Sequence, residues 1–422
     1  MKKYFLQAHR ILAEIYCDGK YGNMAFYGAG TDDMTTKLVY GVLENDVKIE
    51  YVVSELVQKK PQKSILILLK IGIYALENLT EVPQFAIVSE CVEAAKALGK
   101  SGASGFVNAV LKKVATKSYT LPKEDDADYL SVTYSKPQWF VDRLIVQYGK
   151  ETALTVLSAQ SQHFEHIRIN SRVSSVKEVC KRLDGEGEKY TLSEVGGISV
   201  RATATVKRMF EEGMITYQSP SSMLAVQALA PKKGERILDL CSAPGGKAVY
   251  MSETCESVTA CELHPHRINL IEKYKKRMLA KNIVCVQCDA TKLREEWIGK
   301  FDKVLADVPC SCMGTFLKHP DVFLTRAERQ IKSLAQTQKA ILFNAAKYVR
   351  KGGIVVYSTC TLFEEENGKV VESLLNEGGF MLDGIECLSG VAGGKYDGSG
   401  GSVQILPQGE YDGFYIARIK KL

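Results

Sequence analysis

Two cysteines stand where a sheet-based fold would place reacting groups. Cys310 lies in Ala306-Asp307-Val308-Pro309-Cys310-Ser311, and Cys360 lies in Tyr357-Ser358-Thr359-Cys360-Thr361. Each motif follows a short apolar run of strand type. Carbon 5 of a cytosine ring is too poor a nucleophile to take a methyl group unaided. A thiolate adding at carbon 6 turns the ring into an enamine whose carbon 5 can attack, and a base must then remove the carbon-5 proton so that the thiolate can leave. One cysteine would attack and a second could assist release. Residue types alone do not rank the two. An ordinary thiol, with a pKa of about 8.5, needs an activating environment for the attack. The bland alternative, a small apolar core residue, fits Cys241, Cys261 and Cys285, which sit in apolar runs.

A second constellation surrounds Asp239-Leu240-Cys241-Ser242-Ala243-Pro244-Gly245-Gly246-Lys247, which follows an apolar run and opens a helix. A glycine pair at such a turn lets backbone approach a ligand, and the helix N-terminus favours an anionic group. Glu262 ends the next run, about twenty residues on, where an acid can grip ribose hydroxyls. Asp289 follows the third run and Asp307 the fourth. A tight turn without a ligand explains the glycines alone. Three acids at successive strand ends point further, to a nucleoside cofactor on one carboxyl edge. Pro244 breaks the G-x-G-x-x-G spacing of nicotinamide enzymes.

These residues need a sheet to position them. Ile237–Leu240, Val258–Cys261, Ile283–Val286, Val304–Ala306 and Ile354–Tyr357 are short apolar runs separated by helical segments, which predicts a parallel sheet covered on both faces. Phe414–Ile419 reads as one more strand, and the Gly-rich stretch 393–401 as a mobile loop. Upstream, residues 1 to about 117 are helical in pattern: Leu38, Val39, Val42 and Leu43 recur at helical spacing, as do Ile87, Val88, Cys91, Val92 and Ala95. Pro83 suits the first turn of the latter helix and Gly99 its end. The segment 117–126 breaks the pattern and reads as a linker. Residues 129–160 return to helix, with Pro137 near a start and Gly149 at a break. From His166 to Tyr217, strands at Ile167–Ile169 and Ile198–Thr203 alternate with the helical spacing of Val176, Val179, Cys180 and Leu183, predicting a small α/β module. The domains expected are 1–120, 128–218 and 219–422.

Composition agrees with this partition. A chain of 422 residues exceeds one ordinary domain. The formal charge of +6 permits a nucleic-acid partner without demanding one. The twelve cysteines are scattered from Cys17 to Cys387, unlike a disulfide framework. Cys285/Cys288 and Cys310/Cys312 lack a matching second pair or a histidine, so no metal is expected. The N-terminus has no apolar core for a signal peptide. The most apolar stretch, Ile65–Leu69, is soon followed by Lys70 and Glu77, which predicts a buried helix rather than a membrane span. A reduced, cytoplasmic protein is expected.

Taken together, Asp239–Lys247, Asp307–Ser311 and Ser358–Thr361, in this order, resemble the RNA cytosine-C5 methyltransferases of the Nop2/Sun/RsmB superfamily. The resemblance implies a Rossmann-like C-terminal domain that uses S-adenosyl-L-methionine. It implies that Cys360 is the nucleophile and Cys310 the residue that helps release. DNA cytosine-C5 methyltransferases instead attack with the Pro-Cys cysteine, and the presence of both cysteines places the chain with the RNA enzymes. Cys241, Ser242, Ala243, Pro244, Gly245, Gly246, Lys247, Glu262, Asp289 and Asp307 match the family's cofactor-binding positions, and Asp307 is also expected at the cytosine ring. Leu38–Glu44 and Ser104–Leu111 are similar to a NusB-like helical bundle, which marks the RsmB (Sun) branch and implies small-subunit (16S) rRNA as partner. Gln404–Pro407 and Asp412–Tyr415 resemble the family's closing segment. Departures are Cys312-Met313-Gly314, where small residues are usual, Ser89 at a position commonly Asn, and Glu262 in place of Asp. A monomer is expected.

For RNA contacts, Lys318-His319 beyond the Pro-Cys motif and Arg168, Arg201, Lys207 and Arg208 of the middle module are candidates. The basic run from His264 to Lys281 reads rather as a solvated helix face. Alternative functions are a methyltransferase for tRNA or another rRNA site, and a non-catalytic RNA-binding assembly factor. The intact Cys310, Cys360, Asp307 and Gly245-Gly246 weigh against the latter.

Overall fold

The computed structural model describes residues 1–26, 30, 32–160, 164–385, 391, 394–396 and 400–422. The chain divides into two compact units: residues 1–158 with 316–328, and residues 159–315 with 329–422.

The first unit is helical. Helices Lys2–Asp18, Asp33–Glu44, Asp46–Leu56, Lys63–Asn78, Gln84–Ala97 and Ser104–Ala115 share one core. Lys63–Asn78 lies at its centre, buried on every side from Ile65 to Ala75. That all-round burial explains an apolar run without polar punctuation. The cation inside the buried stretch, Lys70, is ion-paired with Asp46 and Glu50. Pro83 sits at the N-cap of Gln84–Ala97, and Gly99 takes a φ of +71° just past its end. Helices Tyr129–Tyr134, Gln138–Tyr148 and Lys150–Ser158 belong to the same unit. So does the segment 316–328, whose Phe316 and Phe323 stack edge-on against Phe140 at 5.5 and 5.0 Å. Asp321 accepts the amide of Gly22 at 2.9 Å.

The second unit holds two sheets. In the smaller, β1 (Glu165–Ile169), β2 (Tyr190–Leu192), β3 (Ile198–Val200) and β4 (Ile215–Tyr217) are ordered β2-β3-β1-β4, and every pair is antiparallel. Helices Val176–Gly185 and Ala204–Glu211 cover it. Each starts at a hydroxyl N-cap, Ser175 accepting the Glu178 amide and Thr203 the Val206 amide. The module is α/β as expected, but the strand at 198 stops at Val200, because Thr203 is used as a cap.

The larger sheet contains β5 (Arg236–Asp239), β6 (Ser257–Glu262), β7 (Ile283–Gln287), β8 (Phe301–Asp307), β9 (Val349–Thr359), β10 (Phe380–Leu382), β11 (Gly394–Tyr396), β12 (Ser402–Ile405) and β13 (Phe414–Lys421), ordered β11-β12-β13-β9-β8-β5-β6-β7 with β10 on β13. Strands β5 to β9 are parallel, coinciding with the five apolar runs. Helices Pro220–Leu229, Gly246–Ser252 and Pro265–Arg277 contribute to one core cluster and Gln330–Tyr348 and Gly368–Leu375 to another. The sheet is mixed rather than purely parallel, since β10 to β13 pair antiparallel. Part of the stretch read as a mobile loop is strand β11, held by β12. Residues 393 and 397–399 of that stretch, and Cys387, lie outside the described residues.

Candidate active site

Strand order decides which motifs meet. β5 pairs with β6 on one side and β8 on the other, so the chain reverses direction there and leaves a crevice beyond the strand ends. β8 lies beside β9 with Asp307 in register with Ser358. The Pro-Cys and Thr-Cys turns therefore leave neighbouring strands at the same level. The sulfurs of Cys310 and Cys360 lie 3.2 Å apart, and the Cys360 amide points to Cys310 Sγ at 3.3 Å. Cys310 is buried, while Cys360 is part-exposed.

The electrostatics of the pair are set by close neighbours. The Cys310 thiol is held well above its ordinary pKa by the thiols of Cys312 and Cys360, then by burial. For Cys360 the contact with Cys310 pulls downward. Cys312, burial and the charge of Asp307 outweigh it, and the thiol sits well above its ordinary value. Asp307 is fastened at both oxygens, by Ser358 Oγ at 2.7 Å and by Lys247 Nζ at 2.7 Å. Burial alone would lower the Lys247 pKa, but the Asp307 charge and hydrogen bond raise it overall. The lysine thus remains a cation linking the glycine-rich turn to the cysteine edge.

The turn after β5 carries a cis Ala243–Pro244 bond and Gly245 at φ +112°, in the left-handed region that favours glycine. Ser242 is tied to β6 through its amide, which donates to the Cys261 carbonyl at 2.8 Å. Glu262 is buried at the end of β6, where it accepts the His264 amide at 3.0 Å and pairs with Arg267 at 3.2 Å. A carboxylate offers about four acceptor sites, so capacity remains for hydroxyls. Asp289 accepts the amide and hydroxyl of Thr291, and that hydroxyl is the largest cause of its lowered pKa. Cys241 is part-buried beside these acids, whereas Cys261 is buried and Cys285 part-exposed.

Some site residues escaped the sequence reading. Glu366, wholly buried, accepts the Ser311 amide at 2.8 Å, the Ser311 hydroxyl at 2.5 Å and Gln338 Nε2 at 2.9 Å. Gln338 also donates to the Pro309 carbonyl at 2.9 Å, and Ser311 Oγ meets Thr361 Oγ1 at 2.8 Å. Glu366 and Gln338 thereby clamp the Pro-Cys turn against the Thr-Cys turn. Asp239, named only as the start of its motif, is 1% exposed with neither carboxylate oxygen hydrogen-bonded. Burial first, then the charge of Asp307, pushes its pKa up to about 7 against the opposing influence of nearby Ser242 and Lys247. Gly314 and Gly413 pack backbone to backbone: the Gly413 amide donates to the Gly314 carbonyl at 2.8 Å, and a Cβ on Gly314 would lie 2.0 Å from the Gly413 carbonyl oxygen.

The basic candidates separate. Arg168 does not contribute to a surface. It is buried, ion-paired with Glu253 and bonded to Gln218 at 2.7 Å, because its strand faces the neighbouring helix end. Arg208 is exposed and paired with Glu186, Arg201 and Lys207 are exposed, and in the first unit Lys318 and His319 are exposed. In the basic run, Arg277 donates to the carbonyls of Phe210 and Ile215 and Lys275 to that of Ile283, leaving Lys273, Lys276 and Lys281 exposed.

Known families match all three regions. Residues 226–420 match the family described as 16S rRNA methyltransferase RsmB/F, residues 27–116 the NusB family, and residues 136–207 the ferredoxin-like domain of RsmF/B-like methyltransferases. The chain is 33% identical to the probable ribosomal RNA small subunit methyltransferase B of Bacillus subtilis, over 82% of this chain and 80% of that protein. It is 30% identical to ribosomal RNA small subunit methyltransferase B of Cronobacter sakazakii, over 91% and 89%. The fold is that of the solved structure of PH0851, with a TM-score of 0.84 and 24% identity, covering 100% of this chain and 99% of that one. No helix among the described residues is long and apolar enough to cross a membrane. With its helical N-terminal domain, small middle domain and cysteine-edged mixed sheet, the chain belongs to the RsmB/F family of S-adenosyl-L-methionine-dependent rRNA methyltransferases.

Proposed function

We propose that the chain methylates carbon 5 of a cytosine in small-subunit (16S) rRNA, acting as a monomer in the cytoplasm, with Cys360 as nucleophile and Cys310 assisting release. The observation that carries this reading is the 3.2 Å pair of sulfurs beside Asp307 at one sheet edge. In this reading residues 1–120 form an RNA-binding domain, 128–218 a helical linker with the small module, and 219–422 the methyl-transfer domain.

The residues present suit the cofactor. The open backbone at Gly245, the buried acid Glu262 and Asp289 form a graded polar cradle along the strand ends. Residues 241–247, with Glu262, Asp289 and Asp307, would hold S-adenosyl-L-methionine, which supplies an electrophilic methyl group when bound. Cys360, deprotonated to solvent, forms a bond from Sγ to carbon 6 of the cytosine, and the ring electrons move to carbon 5. Asp307, held rigid by Lys247 and Ser358, orients the ring edge. After carbon 5 has been methylated a base takes its proton, the carbon 6–sulfur bond breaks, and the Cys310 thiol hydrogen-bonds the departing Cys360 thiolate.

The test is incubation of purified protein with unmodified 16S rRNA, or with tRNA, and labelled S-adenosyl-L-methionine. Wild type should form 5-methylcytosine in 16S rRNA, Cys360→Ala none, and Cys310→Ala a protein–RNA adduct that survives denaturant. Methylation of tRNA alone would overturn the substrate, and a fully active Cys360→Ala would overturn the nucleophile.

A further inference from the structure

Cys312 brings a third sulfur to the site. The Sγ atoms of Cys310, Cys312 and Cys360 all lie within 4.8 Å of one another, and no other cluster of three potential ligands of this kind occurs among the described residues. The spacing Cys310-x-Cys312 alone argued against zinc because a partner pair was missing. The missing ligand comes instead from the end of β9, which the fold places beside the Pro-Cys turn. Cys312 reaches this position through a φ of +61°, a conformation uncommon for a residue with a side chain. Its Sγ lies 3.5 Å from the Cys310 carbonyl.

We infer that the three thiols form a binding site for a thiophilic divalent cation, Zn2+, whose occupation takes the catalytic cysteines out of use. Zinc–sulfur bonds of about 2.3 Å in tetrahedral array put sulfurs about 3.8 Å apart. The Cys310–Cys360 separation is 3.2 Å and no pair in the trio lies beyond 4.8 Å, so small side-chain rotations complete the site. Three protein ligands leave the fourth position to water, as in open zinc sites. Each coordinating thiol loses a proton to solvent and forms one sulfur–zinc bond, so up to three protons are released per ion and no redox partner is needed. A crowded set of sulfurs that repel one another as anions is what a dication relieves. Metal binding itself does not depend on the proposed methylation chemistry; inhibition does, through Cys360.

The experiment uses the full reduced chain, titrated with Co2+ as a spectroscopic probe and then displaced by Zn2+. Wild type should give one tetrahedral thiolate–cobalt spectrum per chain, abolished by stoichiometric Zn2+. Cys312→Gly accommodates the positive φ, so folding is preserved, checked by an unchanged or raised thermal midpoint. It should weaken Zn2+ binding about 100-fold or more, the upper end of what even indirect disturbance of a metal site costs. Methyl transfer by wild type should be inhibited by Zn2+ and restored by a chelator, with Cys312→Gly correspondingly less sensitive relative to its own zinc-free rate. Equal Zn2+ affinity in wild type and Cys312→Gly, or no stoichiometric binding by wild type, would overturn the site. Binding as expected in a protein without methyl-transfer activity would leave the site standing and count against the proposed reaction alone.

Discussion

The Cys360 amide points at the sulfur of Cys310 across 3.3 Å, although fifty residues of chain separate them. The neighbouring thiols of Cys312 and Cys360, then burial, outweigh that N–H and hold Cys310 as a thiol, the form that can donate to the Cys360 sulfur. The raised pKa of Cys360 has a consequence for rate. The nucleophile is mostly protonated at neutral pH, so single-turnover methylation should climb as pH rises from about 7 towards 9, following the thiolate fraction. Rapid-quench measurement of 5-methylcytosine at fixed saturating cofactor checks this. A flat profile would mean the thiolate forms only after RNA binds.

Glu366 should behave as a structural keystone of the cysteine turns. Glu366→Gln keeps the shape but opposes an amide N–H to the Ser311 and Gln338 donors. Leaving buried donors unmatched costs about 1–3 kcal/mol. Urea unfolding should shift by that amount, with a larger fall in kcat than in cofactor affinity. Equal losses in both would place its effect elsewhere.

Asp239 gives stability a pH dependence of definite sign. Its folded pKa, about 7, lies above that of the unfolded chain, so the folded state holds the extra proton between the two values. The group's contribution is fully present below the unfolded value of about 4 and is lost as pH rises through 7, amounting to roughly 4 kcal/mol by linkage. Denaturation midpoints of wild type and Asp239→Asn, compared at pH 5 and pH 8, should move in the variant's favour at the higher pH. A constant difference would show that Asp239 titrates normally.

Arg168→Ala should destabilise the second unit without first affecting RNA. The pair with Glu253 is buried on both sides, and removing one partner of a buried pair costs about 3–5 kcal/mol. Calorimetry would detect the loss. By contrast Lys318→Gln, at an exposed cation, should cost far less stability and lower the slope of log affinity against log salt for 16S rRNA by about 1 if Lys318 meets a phosphate.

The parts of the fold readable in advance were those where burial leaves a periodic trace. The central strands of the parallel sheet are covered on both faces, so a run such as 353–359 at the end of β9 is buried throughout and stays apolar as far as Tyr357. β11 carries Gly394 and follows a glycine-rich approach, so its pairing with β12 could not be seen in composition. Glu366 closes the run Glu364-Glu365-Glu366, which looks like a solvated acidic turn; only the packing of Gln330–Tyr348 over it makes it an internal acceptor. Arg168 looked like surface charge for the same reason. Its partner, Glu253, is remote in sequence and is met only in three dimensions. The motif residues were legible because each follows an apolar run, which sets them on one carboxyl edge, whereas the adjacency of β8 and β9 and the meeting of Cys312 with Cys360 depend on strand order and a backbone turn that spacing does not encode.

The aromatic contacts of Phe140 with Phe316 and Phe323 bear on how such an enzyme can evolve. A stretch lying between the two cysteine motifs in sequence has its packing partners in the first 158 residues. The front of the protein is therefore not an interchangeable attachment. A gene fragment that began after residue 158 would leave Phe316 and Phe323 without Phe140 and Asp321 without the Gly22 amide, so the stretch between the cysteine motifs carries a dependence on chain encoded far upstream.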